Sequence, residues 1–461
     1  MLNDDVMLRV DGHRLVTGGG TPVVLRGMGL GGWLNMENFI TGYPATESLQ
    51  RKALSKALGP EGYHSFFDRF LHDFFAEPDA DFVASLGLNS LRVPFSYRHF
   101  EDDDRPFELK EQGFTHLDRV VDLCARRGIY TILDLHALPG HQNQHWHSDN
   151  PTHWAHLWTH RHFQDRVVHL WQALADRYKD NPWVAGYNPM NEPGDASGEV
   201  IGPFYRRLEQ AMRAVDPNHI LFLDGNRYST EFDLLGDPMP NTVYTAHDYA
   251  LPGFVDGGPY PGTSRGRYVD RSVVERTFLA RTEYMRRTGT PIWIGEFGPV
   301  YTGDPERDEQ RYRLLRDQLE IYAEHAASWA LWTYKDIGLQ GLVYTPAESA
   351  YVQRISPVLQ KKARLGVDSW GAVDTGVRHI LDPIEETFAK EFPDFDPFPW
   401  GSQRWIALLV RHILLAEPLV GDFGRCFEGV SPDEAESLAA CFSFDQCVRR
   451  DRLAETLRQA T

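Results

Sequence analysis

The sequence predicts an α/β fold: a (β/α)8 barrel with an N-terminal hairpin and a mainly helical C-terminal extension. Two observations carry that reading. Short apolar, β-branched runs alternate with amphipathic stretches whose apolar residues recur every three or four positions. Polar and ionisable residues then follow the apolar part of successive strands at the same end, where barrels of this kind carry their sites. Apolar strands alternating with helices imply a parallel sheet covered on both faces.

In chain order, Leu8–Leu25 reads as a small hairpin able to cover the barrel bottom. Strands follow near Val23–Met28, Leu88–Val93, Ile129–Leu135, Val184–Met190, Ile220–Leu223, Thr242–Ala246, Ile292–Gly295 and Trp329–Tyr334. Helical periodicity marks His116–Arg127, Phe163–Tyr178, Tyr205–Val215, Ser272–Arg287 and Asp308–His325. Asp336–Gly371, rich in Gly, Tyr and Gln, reads as a long loop, and a terminal helix near Asp374–Glu391 is expected to close the barrel. This gives a catalytic barrel over residues 1–391 and a helical extension over 392–461, packed on the barrel.

The 461 residues are 42% hydrophobic and 24% charged, enough for a large core. A net charge of −18 argues against nucleic acid or an anionic membrane as the main partner. Four cysteines make no disulfide framework in a chain of this length. The N-terminus carries no cationic segment followed by an apolar run, and Trp405–Leu415 is interrupted by Arg411 and His412 and too short to span a bilayer. A cytoplasmic address is expected.

Arg92, His136, Asn191 with Glu192, His247 with Tyr249, Glu296 and Trp332 each stand at a predicted strand end. The two glutamates matter most. A carboxylate at the end of an apolar strand faces a desolvation cost unless it is paired. Each alone could be a structural residue held by backbone donors. Two of them converging on one cleft form an acid/base pair of the kind glycoside hydrolysis needs.

The ordered set Arg92, His136, Asn191-Glu192, His247, Tyr249, Glu296 and Trp332 resembles glycoside hydrolase family 5, over roughly Leu8 to Glu391. The resemblance implies that Glu192 is the acid/base, with a raised pKa, and that Glu296 is the ionised nucleophile. It implies that Arg92 donates to Glu296 and keeps it anionic, that Tyr249 orients it, and that Asn191 bonds the sugar 2-hydroxyl. His136 and His247 would bond sugar hydroxyls or support the carboxylates, and Trp332 would lie under the reacting sugar. A retaining mechanism requires carboxyl groups about 5–5.5 Å apart.

Eight histidines crowd His136–His162, and His141, His145 and His147 raise a metal reading. Their neighbours look more like a sugar-binding loop, with Gln142, Asn143, His145 and Trp146 as candidate saccharide contacts. No metal or cofactor is expected.

The run Arg26–Leu34 resembles exo-β-1,3-glucanases of the family. Asn35–Tyr43 and Trp332–Gly338 look closer to a branch that includes bacterial β-mannosidases acting on Man-β-1,4-GlcNAc. Lys335 and Asp336 are candidate determinants on the cleft wall, with a surface ion pair as the plainer reading. The expected activity is therefore a retaining exo-β-glycosidase on small oligosaccharides, preferentially a β-mannosidase, with transglycosylation as a side reaction. A β-glucosidase or β-glucanase is the alternative, and a non-catalytic carbohydrate-binding barrel a more remote one. The sequence leaves the oligomeric state open.

Overall fold

A computed structural model describes residues 6–249, 258–264, 266–367 and 373–461. Eight parallel strands close into a barrel: β1 (Arg26–Gly29), β2 (Ser90–Ser96), β3 (Tyr130–Ala137), β4 (Val184–Asn188), β5 (Ile220–Asp224), β6 (Thr242–His247), β7 (Ile292–Phe297) and β8 (Ser328–Leu331). Each lies where the apolar runs place it. β8 ends three residues earlier than its apolar run, because Trp332 leaves the sheet and turns over the top of the barrel.

The lower barrel interior is one apolar cluster containing Ile132, Phe222, Val243 and Trp293. Leu8 and Leu15 of the N-terminal hairpin join the same cluster, so the hairpin plugs the bottom as expected. It is fixed there by Val10 N–H donating to Asn241 Oδ1 (2.9 Å) and by the Tyr130 hydroxyl donating to the Val6 carbonyl (2.7 Å). The opposite end, where the strands' C-termini gather, is left to the loops.

Two expectations are corrected after β8. The predicted loop Asp336–Gly371 contains a helix, Ala350–Leu365, with Ser349 capping its N-terminus. Its apolar residues Tyr351, Val352, Ile355 and Val358 follow a helical spacing and are buried. Residues 368–371 of that stretch lie outside the described residues. The second correction concerns the closing helix. Arg378–Glu391 is helical, but its one buried residue, Leu381, packs against Ile406 and Val410 of the tail rather than against the barrel. The last helix of the chain, Asp451–Ala460, takes the outer position beside Pro305–Glu324. Leu453, Ala454 and Leu457 enter the main core, Arg452 pairs with Glu309, and the Thr461 hydroxyl donates to the Leu86 carbonyl. A short amphipathic helix is marginal alone, so its place is set by tertiary packing that local periodicity does not specify.

Truncating Leu457 to alanine is therefore expected to cost about 2–5 kcal/mol, as for other buried leucines. Leu414, which is 67% exposed in the same tail, should tolerate alanine within about 0.5 kcal/mol. Denaturant midpoints of the two variants check this, and equal midpoints would show that the last helix does not hold the barrel.

Candidate active site

The strand ends converge on a cavity of about 470 Å3. Beneath it lies Arg92 on β2, fully buried. Its Nη1 donates to Glu296 Oε1 (2.5 Å), and its Nη2 donates to Asn191 Oδ1 (2.7 Å) and Asn188 Oδ1 (3.0 Å). Asp134 Oδ2 stands 3.1 Å from the same Nη2. Asp134 also meets His136 Nδ1 (2.7 Å), and His136 Nε2 meets the Asn191 amide (3.2 Å). Arg92, Asp134, His136, Asn191 and Glu296 thus form one hydrogen-bonded platform.

Glu296, on β7, receives a second donor, the Tyr249 hydroxyl, on Oε2 (2.9 Å). Burial works against its charge, but His247, Arg92 and His136 outweigh burial and hold the carboxyl down at about 2. Glu192, just past β4, sits at φ 46°, a left-handed conformation unusual for a side-chain-bearing residue. Three contacts hold it there: its N–H donates to Asp224 Oδ2 (2.9 Å), the Asn143 amide donates to its carbonyl (2.9 Å), and Asn191 N–H donates to the Leu135 carbonyl (3.0 Å). Its carboxylate meets His247 Nδ1 (2.7 Å) and stands 3.3 Å from His147 Nε2.

His247 lies between the two glutamates, with Nδ1 3.6 Å from Glu296 Oε2. Burial opposes its charge, yet Glu296, Asp224 and Glu192 together push it up to about 9. An oxygen of each glutamate and a ring nitrogen of His247 all lie within 4.8 Å of one another, the one such three-ligand grouping among the described residues. His141, His145 and His147 make no comparable grouping. His141 Nδ1 is turned to the Ser148 carbonyl, and burial pushes His147 down to about 4. Two carboxylates this close, one of them held low by His247, Arg92 and His136, form a pair able to serve as acid/base and nucleophile.

Trp332 covers one side, its ring 5.5 Å from that of His136 and nearly parallel to it. Gly29 and Gly31 allow this placement. A Cβ on either would stand 2.6 or 2.4 Å from the indole.

The eight strand-end residues named from the sequence are thus brought together, and His145 and Trp146 line the cavity. Four others fall elsewhere. Gln142 and Asn143 are fully buried behind it: the Gln142 amide donates to the carbonyls of His136 (2.6 Å) and Asn191 (3.0 Å), while Asn143 also meets His147 Nε2. They brace the site instead of facing a saccharide. Lys335 and Asp336 are fully buried too, and not paired with each other. Lys335 Nζ meets Asp79 (2.8 Å) and the Phe442 carbonyl, and Asp336 accepts from Gly338 and Gln340 N–H. They tie the β8 loop to the chain around it, so they are neither cleft-wall determinants nor a surface pair.

Sequence reasoning missed Asp224, Glu37, Tyr228, Trp400 and Arg404, and raised His147 only as a metal candidate, whereas it lies beside the Glu192 carboxylate. Asp224 ends β5, and the rule that found Glu192 and Glu296 would have found it. Glu37 comes from the loop after β1, with Oε1 3.8 Å from His136 Nε2. Burial, then Glu296 and Glu192, pushes its carboxyl well above the ordinary range. Trp400 and Arg404 come from the tail, more than a hundred residues after Glu296, with no local signal to place them here.

Among protein families, the model described as "Cellulase (glycosyl hydrolase family 5)" matches residues 61–338. A β-xylosidase of Phanerodontia chrysosporium is 46% identical, over 98% of this chain and 97% of its own. A probable glucan 1,3-β-glucosidase A of Aspergillus fumigatus is 24% identical, over 69% of this chain and 84% of its own. Among solved structures, an endogalactoceramidase superposes with a TM-score of 0.52 at 19% identity, covering 72% of this chain and 75% of that one, which speaks to the fold alone.

The His247 pair gives stability a defined pH dependence. A histidine raised from 6.5 to about 9 contributes stability that is complete below 6.5 and lost as pH rises through 9. The destabilisation caused by His247→Gln should therefore be largest near pH 6 and shrink above pH 9, measured by denaturant midpoints at both values. An unchanged penalty would mean that His247 is uncharged in the folded protein.

Proposed function

This chain belongs to glycoside hydrolase family 5 and is a hydrolase of β-linked glycans; from that premise we propose that it is a retaining exo-β-glycosidase releasing a single terminal sugar from small β-glycosides, β-xylosides first. The observation that carries the mechanism is the close approach of Glu192 and Glu296 with Arg92 and Tyr249 both donating to Glu296. Glu296 is the nucleophile. It attacks the anomeric carbon while Glu192 gives its proton to the glycosidic oxygen, and the leaving group departs as an alcohol. Glu192 then takes a proton from water, which displaces Glu296, and two inversions give retention. Asn191, held by Arg92, is placed for the 2-hydroxyl. Glu37, whose carboxyl is pushed well above its ordinary range by burial and then by Glu296 and Glu192, is a further hydrogen-bonding group for a sugar hydroxyl. A sugar intercepting the intermediate in place of water gives transglycosylation.

Exo action is supported by the walls. Glu37 from the β1 loop, Trp146 from the β3 loop and Trp400 from the tail all line the cavity, and walls of this kind favour release of a terminal sugar. For the glycone, the full-length relative called a β-xylosidase supports xylosides, and the Aspergillus relative supports β-glucosides as the second reading. The mannoside preference finds no support in these relatives. No described helix is long and apolar enough to cross a membrane.

Hydrolysis of aryl β-xyloside, β-glucoside and β-mannoside, followed by proton NMR of the first-formed anomer, tests the reading. The β anomer is expected, with xyloside turned over fastest. Glu192→Ala should lose about 10²–10⁴-fold in turnover, the usual worth of general acid–base catalysis. With azide it should yield a β-glycosyl azide, and Glu296→Ala should yield the α product. Release of the α anomer by the wild type, or full activity in either variant, would overturn the assignment.

A further inference from the structure

The outer part of the cavity is built by a segment outside the barrel. Trp400 and Arg404, at the start of the tail helix Gly401–Leu408, line the same cavity as the two glutamates. The Trp400 ring lies 4.5 Å from that of Tyr228 at 35°, and 5.5 Å from that of His145. Arg404 lies over Trp400 at 5.7 Å. Trp400 is 42% exposed, an uncommon placement for a tryptophan with three partners.

The position of this aromatic wall relative to the carboxylates fixes its side of the site. Tyr228 N–H donates to the Pro193 carbonyl, immediately after Glu192, and its hydroxyl donates to Gln144 Oε1 (2.9 Å). The Tyr228 and His145 rings both stand beside that of His147, at 6.1 and 5.6 Å, and His147 Nε2 is 3.3 Å from the Glu192 carboxylate, so the wall borders Glu192. Glu37 and Trp332 instead flank His136, which is joined through Asp134 to Arg92 and so to Glu296. A retaining glycosidase places the reacting sugar against its nucleophile and the leaving group beside its acid.

We propose that Trp400, backed by Tyr228 and Arg404, is the leaving-group platform of this enzyme: a specificity-determining wall, supplied by the C-terminal tail, that takes a planar aglycone, an aromatic ring or the flat face of a second pyranose. The proposal rests on the glycosidase reading above. The tail is firmly seated for this task. Arg227 covers the Phe398 ring at 5.4 Å, the Trp146 and His412 rings are 4.2 Å apart, and His153 faces Trp405 at 6.3 Å. A tryptophan held by three partners and still 42% exposed keeps apolar area available to a ring of the ligand.

The test compares two substrates of one glycone, the one preferred in the anomer assay: its p-nitrophenyl β-glycoside and its β-glycosyl fluoride. The fluoride has the same sugar and no aglycone ring. In Trp400→Ala the ratio of kcat/KM for the aryl glycoside to that for the fluoride should fall about tenfold, the worth of one good aromatic contact. Trp400→Phe should restore most of the ratio. The thermal midpoint of each variant separates a folding defect from a binding one, and Arg404→Ala, which removes the backing of the ring and should lower the ratio in the same direction, carries the test if Trp400→Ala does not fold. An unchanged ratio in Trp400→Ala, or in Arg404→Ala where Trp400→Ala does not fold, would overturn the platform. A wild type inactive on the fluoride would instead overturn the glycosidase reading, and the platform with it.

Discussion

The upper end of the barrel is organised around one buried cation. Arg92 is wholly removed from solvent, and a buried charge left uncompensated costs about 3–5 kcal/mol. Its fork is filled from three strands: Asp134 on β3, Asn188 with nearby Asn191 on β4, and Glu296 on β7. Asn188 carries the network on to Asp224 on β5 (2.9 Å), and Asp224 in turn receives the Glu192 N–H. The guanidinium geometry matters, since a lysine would offer a point charge with no fixed fork. One residue thus fixes the position of one glutamate directly and of the other through two intermediaries.

That arrangement also sets the charge balance of the site. Arg92 and His247 face five carboxyl groups: Asp134, Asp224, Glu37, Glu192 and Glu296. Not all five can ionise in so little solvent. Burial pushes Asp224 up to about 6 and Glu37 well above its ordinary range, whereas Glu296, bonded directly to Arg92, is held at about 2. The carboxyl held lowest is thus the one that takes both the Arg92 fork and the Tyr249 hydroxyl, as a nucleophile requires.

The barrel strands and their polar ends were legible because both rest on short-range rules. A parallel barrel buries its strands on both faces, so apolar runs mark them, and a polar residue ending such a run has to face the open end. Asp224 obeys the same rule and was readable in principle. Gln142 and Asn143 were misplaced for a different reason. They sit in a loop rich in hydrogen-bonding side chains, and composition cannot say whether an amide faces a ligand or a backbone carbonyl. Lys335 and Asp336 illustrate the same limit in charged form: adjacency in sequence suggested a pair, but a lysine at that point reaches Asp79, 256 positions earlier. Glu37 escaped notice because it comes from the loop well past β1 rather than from the end of the strand.

The tail escaped for a reason of topology. Between Glu391 and Thr461 the chain first crosses the cavity with Trp400 and Arg404, then packs Phe423, Phe427 and Leu438 into the main core, and finally lays Asp451–Ala460 against Pro305–Glu324. Its two ends are thus engaged in different tasks, one at the pocket and one in the barrel's outer layer. A segment that only covered a pocket could be lost at little cost to folding. Here the stretch that lines the pocket is continuous with helices the barrel needs, so loss of the wall by truncation exposes core as well. The pocket's depth is consequently tied to the stability of the whole chain, and variation in leaving-group preference has to proceed by substitution at positions such as Trp400 and Arg404 rather than by gain or loss of the segment.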